Sequence, residues 1–317
     1  MTRVFCIGEL LIDFVAENQD SNLSKAFDFT KKAGGAPANV ACAIAKLGGK
    51  SSFIGCVGED PFGEFLLDVL KNEGVDISMS QRTKTFTTLA FVSIAKNGER
   101  DFVFSRGADI ELQYDPSIKN EFNKNILHFG AATALLGGSL EKAYEHYLFD
   151  GLFNDSFICF DPNFRNDLWS GNEALFIKKC FPFIEKSTLC KFSLDEALLL
   201  SDKKNVEEAC ERLHEIGAQI ITVTLGEKGT YVSTKNIRQT VPSITVLPVD
   251  TTGAGDAFIG CLLFQIAKHS NFNTIAEDTE GLLKMIAIAN KAGAITTQAF
   301  GAIAALPTLE QLEVSSF

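Results

Sequence analysis

Histidine is scarce in this chain, with four residues in 317, at positions 128, 146, 214 and 269. None stands four residues from another and none adjoins a cysteine, which argues against a structural zinc site and a Ser-His-Asp hydrolase. No stretch approaches 18 apolar residues, and the opening "MTRVFCIGEL" is too short for a signal h-region. Basic residues are the minority, 29 Lys and Arg against 40 Asp and Glu, for a net charge of -11. That balance excludes nucleic acid and anionic membrane as expected partners, because both would be repelled before contact. There is no CxxC, no low-complexity tract, no internal repeat and no long Pro/Ser linker. The eight cysteines stand far apart, mostly inside apolar runs, and read as buried free thiols of a reducing compartment. A soluble, cytoplasmic protein read as one unit, residues 1–317, is the expectation.

What is present is alternation. From residue 126 onward, short β-rich runs ("ILHFG", "FICFD", "TLCKFS", "IITVT") alternate with helical patterns at Ser139 to Leu152, Glu173 to Cys180 and Val206 to Ile216. Such order predicts βαβ units feeding a parallel sheet covered on both faces, joined by a first strand at Val4 to Gly8. Between residues 9 and 104 the texture changes to alternating strands, the last pair joined by "KNGE", whose Asn97-Gly98 is a hairpin signal. Helices at Ala36 to Leu47 and Pro61 to Glu73 interrupt them. The predicted fold is a three-layer α/β sandwich with a mainly parallel central sheet, plus a small β-sheet from segments within about 9–33 and 86–105.

Two standard nucleotide motifs fail. "LGGKSS" ends like a Walker A loop, but its first glycine would fall at Ile44, inside a helix. "GAGDAFIG" carries Phe258 at the third small position of a dinucleotide fingerprint, which weighs against a Rossmann oxidoreductase. What remains in "VDTTGAGDAF" still fits an anion site. Gly253, Ala254 and Gly255 open a helix running from about Gly255 to Lys268, so N–H groups and the helix dipole can face a phosphate with no side chain between. Asp256, in the same turn, could take the proton of an attacking hydroxyl. On this segment alone the plainer alternative stays open, namely that Asp250, Thr251 or Thr252 caps an ordinary helix. A second cluster, "KKAGGAPANVACAIAKLGG", sets Gly34 and Gly35 before a Pro-started helix with Asn39 one turn in, leaving backbone open to a polar ligand. Asp13, in "GELLIDFVAE", stands near the end of the first strand region, where a carboxylate can pair with two vicinal hydroxyls.

"AGGAPANVACAIAKLGG" followed by "VDTTGAGDAF" resembles the paired signatures of the ribokinase-like (PfkB) sugar kinase family, over nearly the whole chain. "GELLIDF", "FIGCVGEDPFG" and "DPNFRNDLW" further resemble its fructokinase branch. The resemblance implies an ATP-dependent sugar kinase acting on a primary hydroxyl, most simply that of fructose, with 2-keto-3-deoxygluconate kinase and ribokinase as alternatives. A non-catalytic sugar-binding regulator is the alternative outside the class; retention of Asp256 and Gly253 to Gly255 speaks against it. It makes Asp256 the base and the amides of Gly253, Ala254 and Gly255 the anion hole. It places Asp13, Gly34, Gly35, Asn39, Arg106 and Arg165 around the sugar or its phosphate. "TVTLGEKGTYV", otherwise a plain hairpin, supplies Thr224, Gly226 and Gly229 to the nucleotide, and Asn290 lies near the adenine. The family's Asn-x-x-Glu motif keeps Glu196 but has Ser193 for the Asn, so Glu196 is expected to reach Mg²⁺ through water. Asp250, Thr252 and the loop around Gly301 match a monovalent-cation site, for K⁺. The small sheet is expected to act as a lid and, with its free edges and apolar face, to pair lid to lid in a homodimer.

Overall fold

The structure is a computed structural model describing residues 1–17, 22–94, 100–269 and 271–314. The Asn97-Gly98 turn lies outside the described residues. Fourteen strands occur among them: β1 (Arg3–Ile7), β2 (Leu11–Ala16), β3 (Phe29–Gly34), β4 (Lys50–Ile54), β5 (Cys56–Gly58), β6 (Gln81–Thr83), β7 (Leu89–Ile94), β8 (Arg100–Ser105), β9 (Ile126–Gly130), β10 (Phe157–Asp161), β11 (Leu189–Ser193), β12 (Ile220–Thr224), β13 (Thr230–Ser233) and β14 (Arg238–Val241). Eight of them form one sheet in the order β14-β13-β12-β11-β10-β9-β1-β4. It is parallel from β4 to β12 and ends in the antiparallel β12-β13-β14 meander.

The continuous apolar runs belong to these parallel strands because both faces are covered. Alternate residues enter different cores: Cys6, Cys159 and Leu189 pack beneath the helices Ala36–Lys46, Ala254–Ile266 and Thr279–Thr296. Phe5, Ile158 and Cys190 point to the other face, against Ser139–Phe153, Glu173–Lys186 and Val206–Ile216. The Ala254–Ile266 helix is buried almost all round, so its start is fixed rigidly over the carboxyl ends of the central strands. All eight cysteines are free and buried. No helix among the described residues is long and apolar enough to cross a membrane.

A separate four-stranded sheet, in the order β3-β2-β7-β8, comes from the early segments. Phe14 and Phe91 stack across it at 5.3 Å, and Phe62 meets Phe14 edge-on at 5.8 Å. Asp13 lies within β2, one of the early segments expected to form this small sheet, and β1 ends just before Gly8, where φ is +148°. One detail differs from expectation. The helix expected to stop at Cys180 continues to Lys186 through Pro182. Its apolar stripe, Phe176, Cys180, Phe183 and Ile184, runs past the proline, which sits on the exposed side where water satisfies the freed carbonyl.

Candidate active site

The Ala254–Ile266 helix begins on Gly253, which is left-handed at φ +79°, and no side chain caps it. The plainer alternative, a side-chain cap from Asp250, Thr251 or Thr252, is not the arrangement adopted. One Asp250 oxygen accepts from Thr252 N at 2.9 Å and Thr252 Oγ at 2.5 Å, while the other accepts from Gly301 N at 2.9 Å. The carboxylate is turned away to clamp the 301 loop, and the first-turn amides keep no side-chain partner. Glycine at 253 is required twice over: a Cβ there would lie 2.8 Å from the Ala302 Cβ and 2.9 Å from its Cα, in a backbone region that L-residues avoid. The result is a helix N-terminus of bare backbone, which attracts anions.

Asp256 follows in the first turn. Asn39, held in the first turn of Ala36–Lys46, donates from Nδ2 to Asp256 Oδ2 at 2.8 Å across 217 residues of sequence. Burial raises the Asp256 carboxyl above the usual carboxylate range; the Asn39 bond and the Lys191 and Arg165 charges pull the other way without cancelling it. A half-buried carboxylate of raised basicity is suited to accept a proton. The Asn39 Oδ1 is buried with no hydrogen-bond partner, so an acceptor remains for a hydroxyl.

The other residues expected to face the sugar come from both sheets and the loops after them, and of these Asp13 lines a cavity wall. Asp13 packs over Gly34, where a Cβ would fall 2.0 Å from Asp13 Oδ2. Gly35, at φ +110°, starts the Asn39 helix with its backbone against Glu9. Arg106 is held by Nε to buried Asp109 at 3.1 Å, and its Nη2 is a buried donor with no partner. Arg165 donates from Nη1 to Phe164 O at 3.1 Å and lies near enough for its charge to reach Asp256.

Two cavities meet at residues 248 and 251. One, of about 570 Å³, is lined by Thr224, Gly226, Gly229, Ala254, Gly255 and Asn290. The other, of about 620 Å³, lies between the small sheet and the 250 and 301 loops, with Asp13, Lys32, Asp250, Thr252 and Gly301 in its walls. Asn290 reaches the first cavity, but its amide is already occupied, accepting from Thr230 Oγ at 2.6 Å and donating to the Val241 and Pro242 carbonyls. It braces the wall of the cavity.

Glu196 is buried, and its two oxygens accept from Phe164 N at 2.8 Å and Ser193 N at 2.7 Å, while Ser193 Oγ accepts a capping bond from Glu196 N at 3.2 Å. One lone pair on each oxygen is left, enough to orient a water. Among the described residues no group of three or more His, Cys, Asp or Glu could hold a metal ion. A divalent ion here suits phosphate and water ligands steadied by Glu196, the coordination Mg²⁺ prefers.

Sequence reading missed three ionisable groups of the site. Lys191 and Asp161 lie in β11 and β10, with Nζ 3.0 Å from Oδ2 and side chains 7% and 0% exposed. Glu9 is buried, with Oε1 accepting from Ala36 N at 3.2 Å. A signal existed for the pair: a lysine and an aspartate in runs expected to be buried on both faces require partners.

The pfkB family carbohydrate kinase profile matches residues 1–309. The chain is 38% identical to the Arabidopsis thaliana protein called probable fructokinase-5, over 96% of this chain and 94% of that protein. Among solved structures, an ATP-bound fructokinase from Xylella fastidiosa superposes with a TM-score of 0.87 at 29% identity, covering 98% of this chain and 97% of that one. A fructokinase from Vibrio cholerae holding fructose, ADP and calcium gives a TM-score of 0.85 at 30% identity, covering 99% and 98%. With its uncapped helix start, its first-turn carboxylate and this similarity over nearly its whole length, the chain belongs to the pfkB family of carbohydrate kinases.

Proposed function

We infer that the protein is an ATP-dependent fructokinase, converting fructose and ATP to fructose 6-phosphate and ADP. The observation that carries this is the meeting of the two cavities at Pro248 and Thr251, just before an uncapped helix start whose first turn bears the half-buried Asp256 carboxylate. The similar fructokinases bound to ATP, and to fructose with ADP, support the identity of both substrates. In this reading ATP occupies the cavity along Thr224, Gly226 and Gly229, and the sugar lies between Asp13, Gly34, Gly35, Asn39, Arg106 and Arg165.

Asn39 fixes the Asp256 carboxylate, which accepts the proton of the sugar's primary hydroxyl as its oxygen attacks the γ-phosphorus. The new O–P bond forms in line as the bridging P–O bond breaks, and ADP leaves with that electron pair. Amides at Gly253, Ala254 and Gly255 receive the charge on the transferring group. Mg²⁺, when bound with the nucleotide, supplies charge neutralisation to the phosphates. Glu196 would orient one of its waters, and Asp250, Thr252 and Gly301 are the residues that would hold a K⁺ ion.

The small sheet is a lid that excludes water from the sugar side. Its half-exposed Phe86 and Val103 support lid-to-lid pairing in a homodimer, and a monomer mass by light scattering at micromolar concentration would refute that pairing. Eight buried thiols without a disulfide suit the cytoplasm. The assignment is tested by ADP release from fructose, ribose and 2-keto-3-deoxygluconate. Fructose should give the highest kcat/KM, and no turnover with fructose overturns the reading.

A further inference from the structure

Lys191 occupies a place that the chemistry above does not use. A lysine in the middle of a parallel sheet loses its hydration, and here the ammonium is 7% exposed on β11, facing the layer that contains the Ala254–Ile266 helix. Two distances fix its head. Nζ lies 3.0 Å from Asp161 Oδ2 on the neighbouring strand, and 3.1 Å from the point where a Cβ on Gly255 would stand. Gly255 therefore lies directly on the ammonium, and any larger residue there would press against it. The charged groups around this point are Asp161 on β10, Glu196 after β11, Asp256 in the helix above and Arg165 at the end of the loop after β10. His128 on β9 is buried with neither ring nitrogen bonded, and burial together with Lys191 keeps it neutral, its pKa pushed down to about 3. Burial opposes the charge on Lys191, yet Asp161, Glu196 and Asp256 outweigh it and raise its pKa above the usual lysine value.

We propose that Lys191 is a positioning residue for phosphoryl transfer: locked by Asp161 beneath Gly255, its ammonium supplies the fixed positive charge against which the Asp256 carboxylate and the anion hole are set. This rests on the assignment of Asp256 and Gly253 to Gly255 made above. Without the ammonium, Asp161, Glu196 and Asp256 would face one another and an incoming phosphate with only Arg165 as counter-charge. A proton would then be retained on Asp256 to higher pH, and the phosphate would meet a more negative floor.

The test is steady-state kinetics of Lys191→Met across pH 5 to 9, at saturating Mg²⁺, beside wild type and Asp256→Asn. Lys191→Met should lower kcat about a hundredfold with both KM values changed less than about threefold. The acid limb of its kcat profile should move to higher pH, and Lys191→Arg should restore the limb toward wild type. If Lys191→Met fails to fold by circular dichroism, Lys191→Gln, which removes the charge but keeps a donor for Asp161, takes its place with the same readouts. An acid limb unmoved in the variant, whatever its kcat, overturns the proposal, because a purely structural lysine would not change the proton affinity of Asp256. Near-normal turnover in Asp256→Asn would instead overturn the assignment of the base itself, which keeps the two failures apart.

Discussion

Replacing Asp256 by asparagine separates proton transfer from everything else the site does. The carboxylate sits 2.8 Å from Asn39 Nδ2, and an amide of the same shape can still accept that bond through its oxygen. Sugar and nucleotide binding should therefore survive, with dissociation constants by calorimetry within about threefold of wild type. Proton acceptance cannot survive. A positioned general base contributes about 10² to 10⁴ in rate, and the charge lost lies at the point where the hydroxyl must be polarised, so a kcat loss of about 10³ or more is expected. The same substitution should change stability in a direction set by burial. Because burial raises the folded Asp256 pKa above its ordinary 3.8, ionising it costs the folded state more than the unfolded one. That cost is absent below the unfolded pKa and grows as pH rises through the window between the two values. Asp256→Asn should thus melt progressively higher relative to wild type as pH rises above 3.8, until the folded carboxyl has itself ionised, while turning over far more slowly. A kcat within tenfold of wild type, or a parallel loss of binding and turnover, would refute the reasoning.

Gly253→Ala should lose both stability and rate: the left-handed backbone costs roughly 1–2 kcal/mol with a side chain, and the contact at 2.8 Å to Ala302 must be relieved by moving the helix start. Thermal melts and kcat measure the two effects, and an unshifted Tm would show that the loop relaxes freely. Glu9→Gln tests a different buried carboxyl, one that burial lifts from 4.5 to about 8. Wild-type stability should be full below pH 4.5 and fall as pH rises through 8, since the unfolded chain releases a proton that the folded one keeps. The variant does not titrate there, so its Tm advantage should widen over that window, by about 1.4 kcal/mol per pH unit at most; a constant difference would mean that Glu9 ionises normally.

How much of this was legible before the coordinates depended on whether a feature was local. Period-2 and period-3.6 patterns and the βαβ alternation disclosed the parallel sheet, because each strand buried on both faces must read as an apolar run. Small residues at Gly253 and Gly35 marked bare-backbone helix starts for the same reason, since the absence of a side chain is visible letter by letter. The Asn39–Asp256 bond spans 217 residues, and no local rule pairs an amide with a carboxylate at that distance. Glu9 looked like part of a strand end, and only the approach of Ala36 shows what its carboxyl does. The side-chain helix cap is not formed because Asp250 found a stronger demand in the Gly301 amide 51 residues away. A tertiary bond decided between two locally reasonable conformations.

That diverted cap is what makes the helix start a site. Had Asp250 or Thr252 reached the first-turn amides, the N–H groups would be paired and the dipole neutralised, leaving a stable helix with little affinity for phosphate. Turning Asp250 toward Thr252 and Gly301 ties down the loop below and leaves the amides for a ligand. The cost of an uncapped terminus is about 1 kcal/mol, small beside the burial of Phe258, Ile259, Leu262 and Leu263 on the same helix. Packing therefore keeps the helix in place after its start has been given to chemistry. The charges follow the same logic: Asp256 is tolerated in the interior because Asn39, Lys191 and Arg165 each offset part of its burial cost. The carboxylate is held without being fully satisfied, and that incompletely paired state is the one from which it can take a proton.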